Sequence, residues 1–317
     1  MVNAVRGVNL TVNRGETVAI VGESGSGKSV SAKAIMGILA KNGTIDRGQI
    51  TFSYYRNPEE RVTREILQMK KEEIRRHING KRIAMVFQDP MTSLNPLMPV
   101  GKQIMEGMIW HYHTPKEEAY KKALELMKLV GITDAEKRIK NYPHQLSGGM
   151  RQRIVIAIAL ACDPELLICD EPTTALDVTI QAQILDLLRN LKNRINSSIM
   201  LITHDLGVIA EMADYVVVMY AGRVVEKGTV QEIFSNPSHP YTIGLMASKP
   251  VIGKKVDKLY SIPGKVPNPV NMPDYCYFRD RCEMRCPECD GKYPCEISLS
   301  ETHKVSCYRY YDKKEGK

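Results

Sequence analysis

The chain has 317 residues, of which 43% are hydrophobic and 25% charged, and its formal net charge is +8. These values are typical of a globular protein with one large domain and an appendage, or with two modest domains. No apolar run is long enough to span a bilayer, and the first residues lack the pattern of a signal peptide, so a cytosolic protein is expected. Basic residues are scattered among acidic ones, which does not favour a nucleic-acid surface.

The first predicted elements are a β-strand, a glycine-rich loop and a helix. The β-branched run TVAIV predicts the strand, and GESGSGKS at residues 22–29 matches the phosphate-loop pattern G-x-x-x-x-G-K-[ST]. In this pattern the loop amides bind phosphates, Lys28 reaches the β- and γ-phosphates, and the Ser29 hydroxyl binds Mg²⁺. A glycine turn without function is disfavoured because this loop follows a strand and opens a helix. The predicted ATP-binding residues are Gly22, Glu23, Ser24, Gly25, Ser26, Gly27, Lys28, Ser29 and Val30.

The middle of the chain contains a second strand, a helix and a second glycine motif. The strand KRIAMVF ends before Gln88 and a proline-rich segment that cannot form regular helix. A helix is predicted over residues 114–128. LSGGMRQR, residues 146–153, precedes an apolar helix. Its two glycines let backbone N–H groups approach a phosphate closely, and the positive end of the helix points at the same anion.

Two adjacent carboxylates follow the next predicted strand, LLIC. Because this strand is apolar throughout, we expect it to deliver Asp170 and Glu171 to the carboxyl edge of a parallel sheet, beside the phosphate loop. Asp170 suits the Mg²⁺ shell through water. Glu171 suits polarisation of the attacking water, as general base or as orienter. An apolar run before Asp-Glu is a weak signal alone, and the phosphate loop upstream strengthens it.

The remaining elements alternate between strand and helix up to about residue 235. The strand SSIMLIT ends at His204, a short helix follows, and DYVVVMYAGRVVEKG is predicted as one further strand. This alternation predicts an α/β fold with a mostly parallel sheet covered on both faces. A histidine or glutamine at a strand end is more often structural than catalytic, so His204 and Gln88 gain significance only from the order of the motifs.

These motifs, in this order, resemble those of ABC-type ATPases over residues 1–235. The resemblance implies an ABC-type P-loop ATPase domain with a helical subdomain at about residues 89–160. It implies that His204 contacts the γ-phosphate and the catalytic water, and that Gln88 reaches Mg²⁺ and this water. Members of the family have an N-terminal strand and an aromatic residue, and the aromatic ring stacks on adenine. Neither has a counterpart in Met1 to Thr17, so recognition of the base stays open.

The resemblance also implies that ATP is bound between two subunits arranged head to tail. Asp177, in TALD, would turn toward the neighbouring subunit. The signature residues would then contact ATP that is held by the partner's phosphate loop; they are Ser147, Gly148, Gly149 and Gln152.

The C-terminal extension, residues 236–317, differs in composition from the rest of the chain and contains six of the eight cysteines. Cys162 and Cys169 lie in apolar runs and are expected to be buried. Four cysteines in a reducing cytosol suit a soft-metal site. Irregular spacing favours an iron–sulfur cluster over zinc, and disulfides or free thiols are the third alternative.

A narrower resemblance is to the ATPase subunits of bacterial and archaeal oligopeptide, dipeptide and nickel importers. It is carried by QDPMTSLNP, NPSHPYTIGLMASKP and YCYFRDRC, in which Tyr275 replaces the family's glycine. It implies ATP, Mg²⁺ and a [4Fe–4S] cluster as cofactors, with Cys276, Cys282, Cys289 and Cys307 as the ligands of the cluster. It implies a second ATPase subunit, identical or paralogous, two integral membrane permease subunits and, indirectly, an extracytoplasmic substrate-binding protein. The chain would lie on the cytoplasmic face of the membrane and drive peptide uptake.

The second hypothesis is a soluble ABC ATPase that acts on nucleic acid, on the ribosome or in iron–sulfur assembly. It is disfavoured because the chain contains one ATPase unit and no long coiled coil. The sequence leaves open whether the substrate is a dipeptide, an oligopeptide or nickel.

Overall fold

The structure is a computed structural model that describes residues 2–173, 176–195, 197–248 and 260–311. Lys249 and Pro250, which end the motif NPSHPYTIGLMASKP, lie outside the described residues. The strands are β1 (Thr17–Val21), β2 (Thr51–Asn57), β3 (Glu60–Glu65), β4 (Ile83–Val86), β5 (Leu166–Asp170), β6 (Ser198–Ile202), β7 (Tyr215–Tyr220), β8 (Arg223–Thr229), β9 (Ile297–Ser298) and β10 (Lys304–Val305).

The helices are α1 (Lys28–Ile35), α2 (Lys71–His77), α3 (Pro90–Ser93), α4 (Val100–Tyr112), α5 (Lys116–Leu129), α6 (Ala135–Arg138), α7 (Gly148–Leu160), α8 (Val178–Ile195), α9 (Leu206–Met212), α10 (Val230–Ser235) and α11 (Pro240–Ala247). The chain forms two compact units. The first comprises Met1–Thr11, Thr17–Ser31 and Thr203–Lys317, and the second comprises Val12–Glu16 and Ala32–Ile202. No helix among the described residues is long and apolar enough to cross a membrane.

The second unit contains a parallel sheet of the kind that the sequence predicts. Strand β5 lies between β4 and β6 and is parallel to both, with Ile83 opposite Leu166 and Leu166 opposite Ser198. Every residue of these three strands is buried. Helices α4, α5 and α7 pack against one another in the same unit. The α/β class predicted from the alternation of elements is therefore confirmed.

The second unit also contains a hairpin that the sequence pattern did not predict. Strands β2 and β3 pair antiparallel, from Thr51 opposite Glu65 to Asn57 opposite Glu60. Most of their residues are exposed or half-buried. Because neither face is fully buried, polar side chains occur on both, and the alternation that marks a half-buried strand is weak.

In the first unit, β1 is parallel to β7, and β7 turns back into β8. The residues between these two strands, Ala221 and Gly222, both have positive φ values, 46° and 83°, as a tight hairpin turn requires. The sequence predicted one strand over residues 214–228, and this prediction was wrong. Ala-Gly is a weaker turn signal than Asn-Gly, and the apolar runs on either side join into one pattern.

The C-terminal extension joins the same unit. Strand β10 pairs antiparallel with β8 and with β9. Cys276, Tyr277 and Phe278 pack in one apolar cluster with residues of β7 and α11. The rings of Tyr220 and Phe278 lie edge to face at 5.3 Å, and those of Tyr220 and Tyr241 lie 4.7 Å apart. The extension is poor in aliphatic residues, and these aromatic rings supply apolar area that it buries.

Candidate nucleotide-binding site

The phosphate loop leads from the buried strand β1 into α1 and is closely surrounded by backbone. A Cβ atom on Gly22 would lie 2.1 Å from the Met219 carbonyl oxygen. Gly27 has φ of 96°, and a Cβ atom there would lie 2.7 Å from the Ala4 carbonyl oxygen. No side chain fits at either position, so both glycines are required by close approach of neighbouring chain.

Lys28 places its positive charge inside this loop. Its side chain is only 6% exposed. The Nζ atom donates to the carbonyl oxygens of Gly22 at 2.8 Å and Glu23 at 3.0 Å. Among the other predicted ATP-binding residues of the loop, Ser26 is buried, Ser29 is half-buried at the first turn of α1, and Ser24 and Val30 are exposed. The loop therefore encloses the ammonium group of Lys28, whereas Ser24 and Val30 of the same loop are open to solvent.

Two residues that the sequence did not single out also contact the loop. The Glu23 amide donates to the Tyr241 hydroxyl at 2.8 Å. The Glu23 carboxylate pairs with Arg281 of the C-terminal extension at 2.6 Å. Arg281 lies within YCYFRDRC, a segment in which the cysteines, and not the arginines, led to a functional prediction. No local sequence signal pairs it with a residue so far away in the chain.

Within the second unit, the structure brings together two of the predicted catalytic residues. Gln88 Nε2 donates to Glu171 Oε2 at 3.0 Å. Asp170 ends β5 and is buried. Glu171 has a φ of 47°, in the left-handed region that side chains rarely adopt, and its amide donates to the Ile202 carbonyl at 2.8 Å. Such backbone strain costs on the order of 1–3 kcal/mol and is common at functional sites.

His204 belongs to the first unit, where it lies exposed before α9. Asp177 of the second unit is exposed, and its Oδ1 accepts a hydrogen bond from the Ile180 amide at 3.0 Å. The carboxylate of Asp177 thus caps the first turn of α8.

The signature residues divide into an exposed group and a buried one. Ser147 caps α7 by accepting a hydrogen bond from the Met150 amide at 3.3 Å, and both Ser147 and Gly148 are exposed. A Cβ atom on Gly148 would meet nothing within 4 Å, whereas one on Gly149 would lie 2.7 Å from Ile180 Cγ2. Gln152 is only 1% exposed and donates to the Pro172 carbonyl at 2.7 Å. Gln152 therefore faces the interior of the unit.

The cysteines of the extension lie in one region without forming a metal-binding group. Cys276, Cys289 and Cys307 are buried, Cys282 is half-buried, and the sulfur atoms of Cys286 and Cys289 are 3.4 Å apart. Burial and the neighbouring thiols raise the pKa of Cys276 to about 12. In the described part of the chain, no three His, Cys, Asp or Glu side chains are grouped so that they could hold a metal ion.

This arrangement does not support the predicted [4Fe–4S] cluster or its zinc alternative. Burial raises the pKa of the Cys307 thiol to about 11, so without a metal ion the thiols of Cys276 and Cys307 are neutral at pH 7. Cys162 and Cys169, which were expected to be buried, are buried.

Residues 5–174 match the model of the family described as ABC transporter. The chain belongs to the ABC transporter family. Residues 225–289 match the family described as oligopeptide/dipeptide transporter, C-terminal region. The resemblance stated from the sequence is confirmed, and the chain is an ATPase of this family.

Curated relatives match over nearly the whole chain. The oligopeptide transport ATP-binding protein AppD of Bacillus subtilis is 48% identical over 97% of this chain and 91% of its own length. The dipeptide transport ATP-binding protein DppD of Lactococcus lactis subsp. cremoris is 53% identical over 95% of this chain and 84% of its own length.

A solved structure of similar fold is an ATP-binding cassette, described as a dimer in a post-hydrolysis state with ADP and Pi. It has a TM-score of 0.60 and 28% sequence identity, and the match covers 72% of this chain and 90% of that one.

Proposed function

We propose that the chain is the ATP-hydrolysing subunit of a membrane importer and couples ATP binding and hydrolysis to the uptake of dipeptides or oligopeptides. The observation that carries this proposal is the combination of an ABC ATPase region at residues 5–174 with a peptide-transporter C-terminal region at residues 225–289. Relatives that are named for oligopeptide and dipeptide transport match 95–97% of the chain.

In the proposed reaction, Lys28 and the loop amides hold the β- and γ-phosphates, and Ser29 and Gln88 bind Mg²⁺, with Asp170 acting through water. Glu171 polarises the attacking water, and His204 stabilises the γ-phosphate. The contact of Gln88 with Glu171 supports a shared role at the water. The φ value of Glu171 supports a backbone that is built to aim its carboxylate.

The proposed active unit is a dimer of this chain with a second ATPase subunit. Ser147 and Gly148 are exposed at the N-terminal end of a 13-residue helix, where backbone N–H groups attract anions. The cassette of similar fold is described as dimeric with ADP and Pi. We propose that the dimer docks on two permease subunits, as a peripheral protein at the cytoplasmic face of the membrane. Through the permease it is linked indirectly to an extracytoplasmic substrate-binding protein.

Isolation of the chain from its native membrane tests the proposal. We expect it to co-purify with two integral membrane proteins and to hydrolyse ATP faster when peptide is delivered. Replacement of Glu171 by glutamine in the assembled transporter should slow hydrolysis by about 10²–10⁴-fold while Mg-ATP still binds. Full activity of Glu171→Gln would refute the role of this carboxylate, and ATPase activity stimulated by RNA or DNA would favour the soluble alternative.

The [4Fe–4S] cluster stays a prediction from the cysteine spacing. Its support is that the thiols of Cys282, Cys289 and Cys307 act electrostatically on Cys276, so the four lie near one another. The lack of a metal-binding group among the described residues counts against it. Purification without oxygen, followed by a visible absorption spectrum and metal analysis, decides the matter. A colourless protein that contains zinc or no metal would overturn the prediction.

A further inference from the structure

Glu23, the second residue of the phosphate loop, is held at three points. Its amide donates to the hydroxyl of Tyr241 at 2.8 Å, and its carbonyl oxygen accepts a hydrogen bond from Lys28 at 3.0 Å. Its carboxylate accepts two hydrogen bonds from Arg281, at 2.6 Å and 3.0 Å. Two of the three partners, Tyr241 and Arg281, lie beyond residue 235, in the extension that follows the ATPase motifs.

The guanidinium group of Arg281 is fully satisfied in this position. Nη1 donates to Glu23 and to the Tyr220 hydroxyl at 3.3 Å, and Nη2 donates to Glu23 and to the Ile262 carbonyl at 3.4 Å. Nε donates to the Pro263 carbonyl at 2.8 Å. A guanidinium has five N–H donors, and each has an acceptor here. The planar fork matches the carboxylate in a way that a lysine ammonium cannot.

Burial makes this ion pair stronger than one on an open surface. The side chain of Arg281 is 6% exposed and that of Glu23 is 29% exposed. Without Arg281, a partly buried carboxylate would stand uncompensated in the loop that binds a triphosphate, and like charges repel strongly where water is scarce.

We propose that Arg281 is a positioning residue of the nucleotide site, which acts through Glu23 by fixing the first turn of the phosphate loop and by neutralising its carboxylate. The inference rests on the assignment of residues 22–29 as the ATP-binding loop. The C-terminal extension is then a part of the ATP-binding machinery, joined to it by a side chain 258 residues away from its partner.

Titration of the full-length chain with Mg-ATP tests this proposal. We expect Arg281→Met to raise the dissociation constant by about 10-fold, because a charged hydrogen-bonded pair is lost and a charge is left unpaired. Addition of Glu23→Gln to Arg281→Met should recover most of that loss, because it removes the unpaired charge. A purely structural role for Arg281 would not be relieved by a change in the loop.

Arg279→Met is the matched control. Arg279 lies in the same short 3-10 helix, Arg279–Arg281, but pairs with Asp290 at 2.9 Å and lies over the ring of Tyr275. The variant Arg279→Met should leave the dissociation constant for Mg-ATP unchanged. If Arg281→Met does not fold, as thermal unfolding would show, Arg281→Lys replaces it. Arg281→Lys keeps the positive charge but loses the planar pair of N–H donors. It should raise the dissociation constant for Mg-ATP by a smaller factor than Arg281→Met.

The proposal is overturned if a folded Arg281→Met variant, or Arg281→Lys in its place, binds Mg-ATP as tightly as the unmodified chain. It is also overturned if the double variant binds no better than Arg281→Met alone. An unmodified chain that bound no Mg-ATP would instead refute the assignment of the loop itself, so the two failures are distinguishable.

Discussion

The phosphate loop and the start of α7 are both glycine turns that lead into helices, but their surroundings differ. The loop is enclosed by its own chain: Gly22 faces Met219, Gly27 faces Ala4, and Glu23 is bound from outside the loop by Tyr241 and Arg281. The start of α7 is open, and the space above Gly148 is empty to 4 Å. Gly22 and Gly27 allow close contacts within the chain, whereas Gly148 is suited to a contact with another molecule.

Among the changes that test this comparison, the largest effect is expected from Gly148→Ala, measured as ATP hydrolysis in the assembled transporter. The added methyl group has room in this chain, so the unfolding temperature and Mg-ATP binding should not change. Hydrolysis should fall by about 100-fold if the N–H groups of this turn contact the partner's nucleotide, because the methyl group would hold the nucleotide away from these donors, and loss of one such contact has effects of that size.

Gly149→Ala provides the contrast, because its methyl group would lie 2.7 Å from Ile180 Cγ2 and should lower the unfolding temperature. If Gly148→Ala destabilises the chain to the same extent, the space around Gly148 is not open in the way described.

The next effect concerns the enclosed region. Gly27→Ala should weaken Mg-ATP binding by about 10-fold and destabilise the fold by about 1–3 kcal/mol, because φ of 96° and the Ala4 carbonyl both oppose a Cβ atom. Titration and chemical unfolding measure the two effects. Gly15→Ala is the control for backbone strain alone, since Gly15 has φ of 74° but open space around it. Equal losses in the two variants would argue that enclosure contributes nothing.

The smallest effect tests the support beneath the loop. His239 caps α11 by accepting a hydrogen bond from the Tyr241 amide on Nδ1 at 3.0 Å, and burial lowers the pKa of His239 to about 4 although Glu226 opposes this. A histidine with a lowered folded-state pKa stabilises the fold above pH 6.5, and this stability is lost as the pH falls toward 4. The loss should be on the order of 2 kcal/mol.

His239→Asn keeps a capping oxygen and removes the titration, so denaturant unfolding between pH 6.5 and 4 should show a flatter dependence on pH. His144, which is exposed, provides the control: His144→Asn should retain the slope of the unmodified chain. A slope that His239→Asn leaves unchanged would assign the pH dependence to other groups.

The sequence predicted those parts of the molecule in which a pattern is local. Strands β1, β5 and β6 are short apolar runs, and each was found close to its predicted position. The exposure of Ser147 and the contact of Gln88 with Glu171 agree with the roles that motif order assigned to them, which stay predictions. Gln152 was expected to reach a partner's ATP, yet its side chain is bound to Pro172 inside its own unit.

Other features depend on contacts that no local pattern contains. The hairpin of β2 and β3 has no fully buried face, and the turn between β7 and β8 is hidden in a continuous apolar run. The extension was interpreted through its cysteines, whereas Phe278 and Tyr277 provide its packing and Arg281 its contact with the loop. The proposed role of Arg281 depends on the position of Glu23 in the folded protein. The spacing of residues along the chain does not predict that position.

The pairing of Glu23 with a residue 258 positions later has a consequence for the order of events during synthesis. The phosphate loop leaves the ribosome before its last supports, which are α11 and the segment around Arg281. Contacts of such long sequence separation form late in folding. The nascent chain therefore carries an unfinished loop until Arg281 has been made, and on the proposal above it gains full affinity for ATP only after that point.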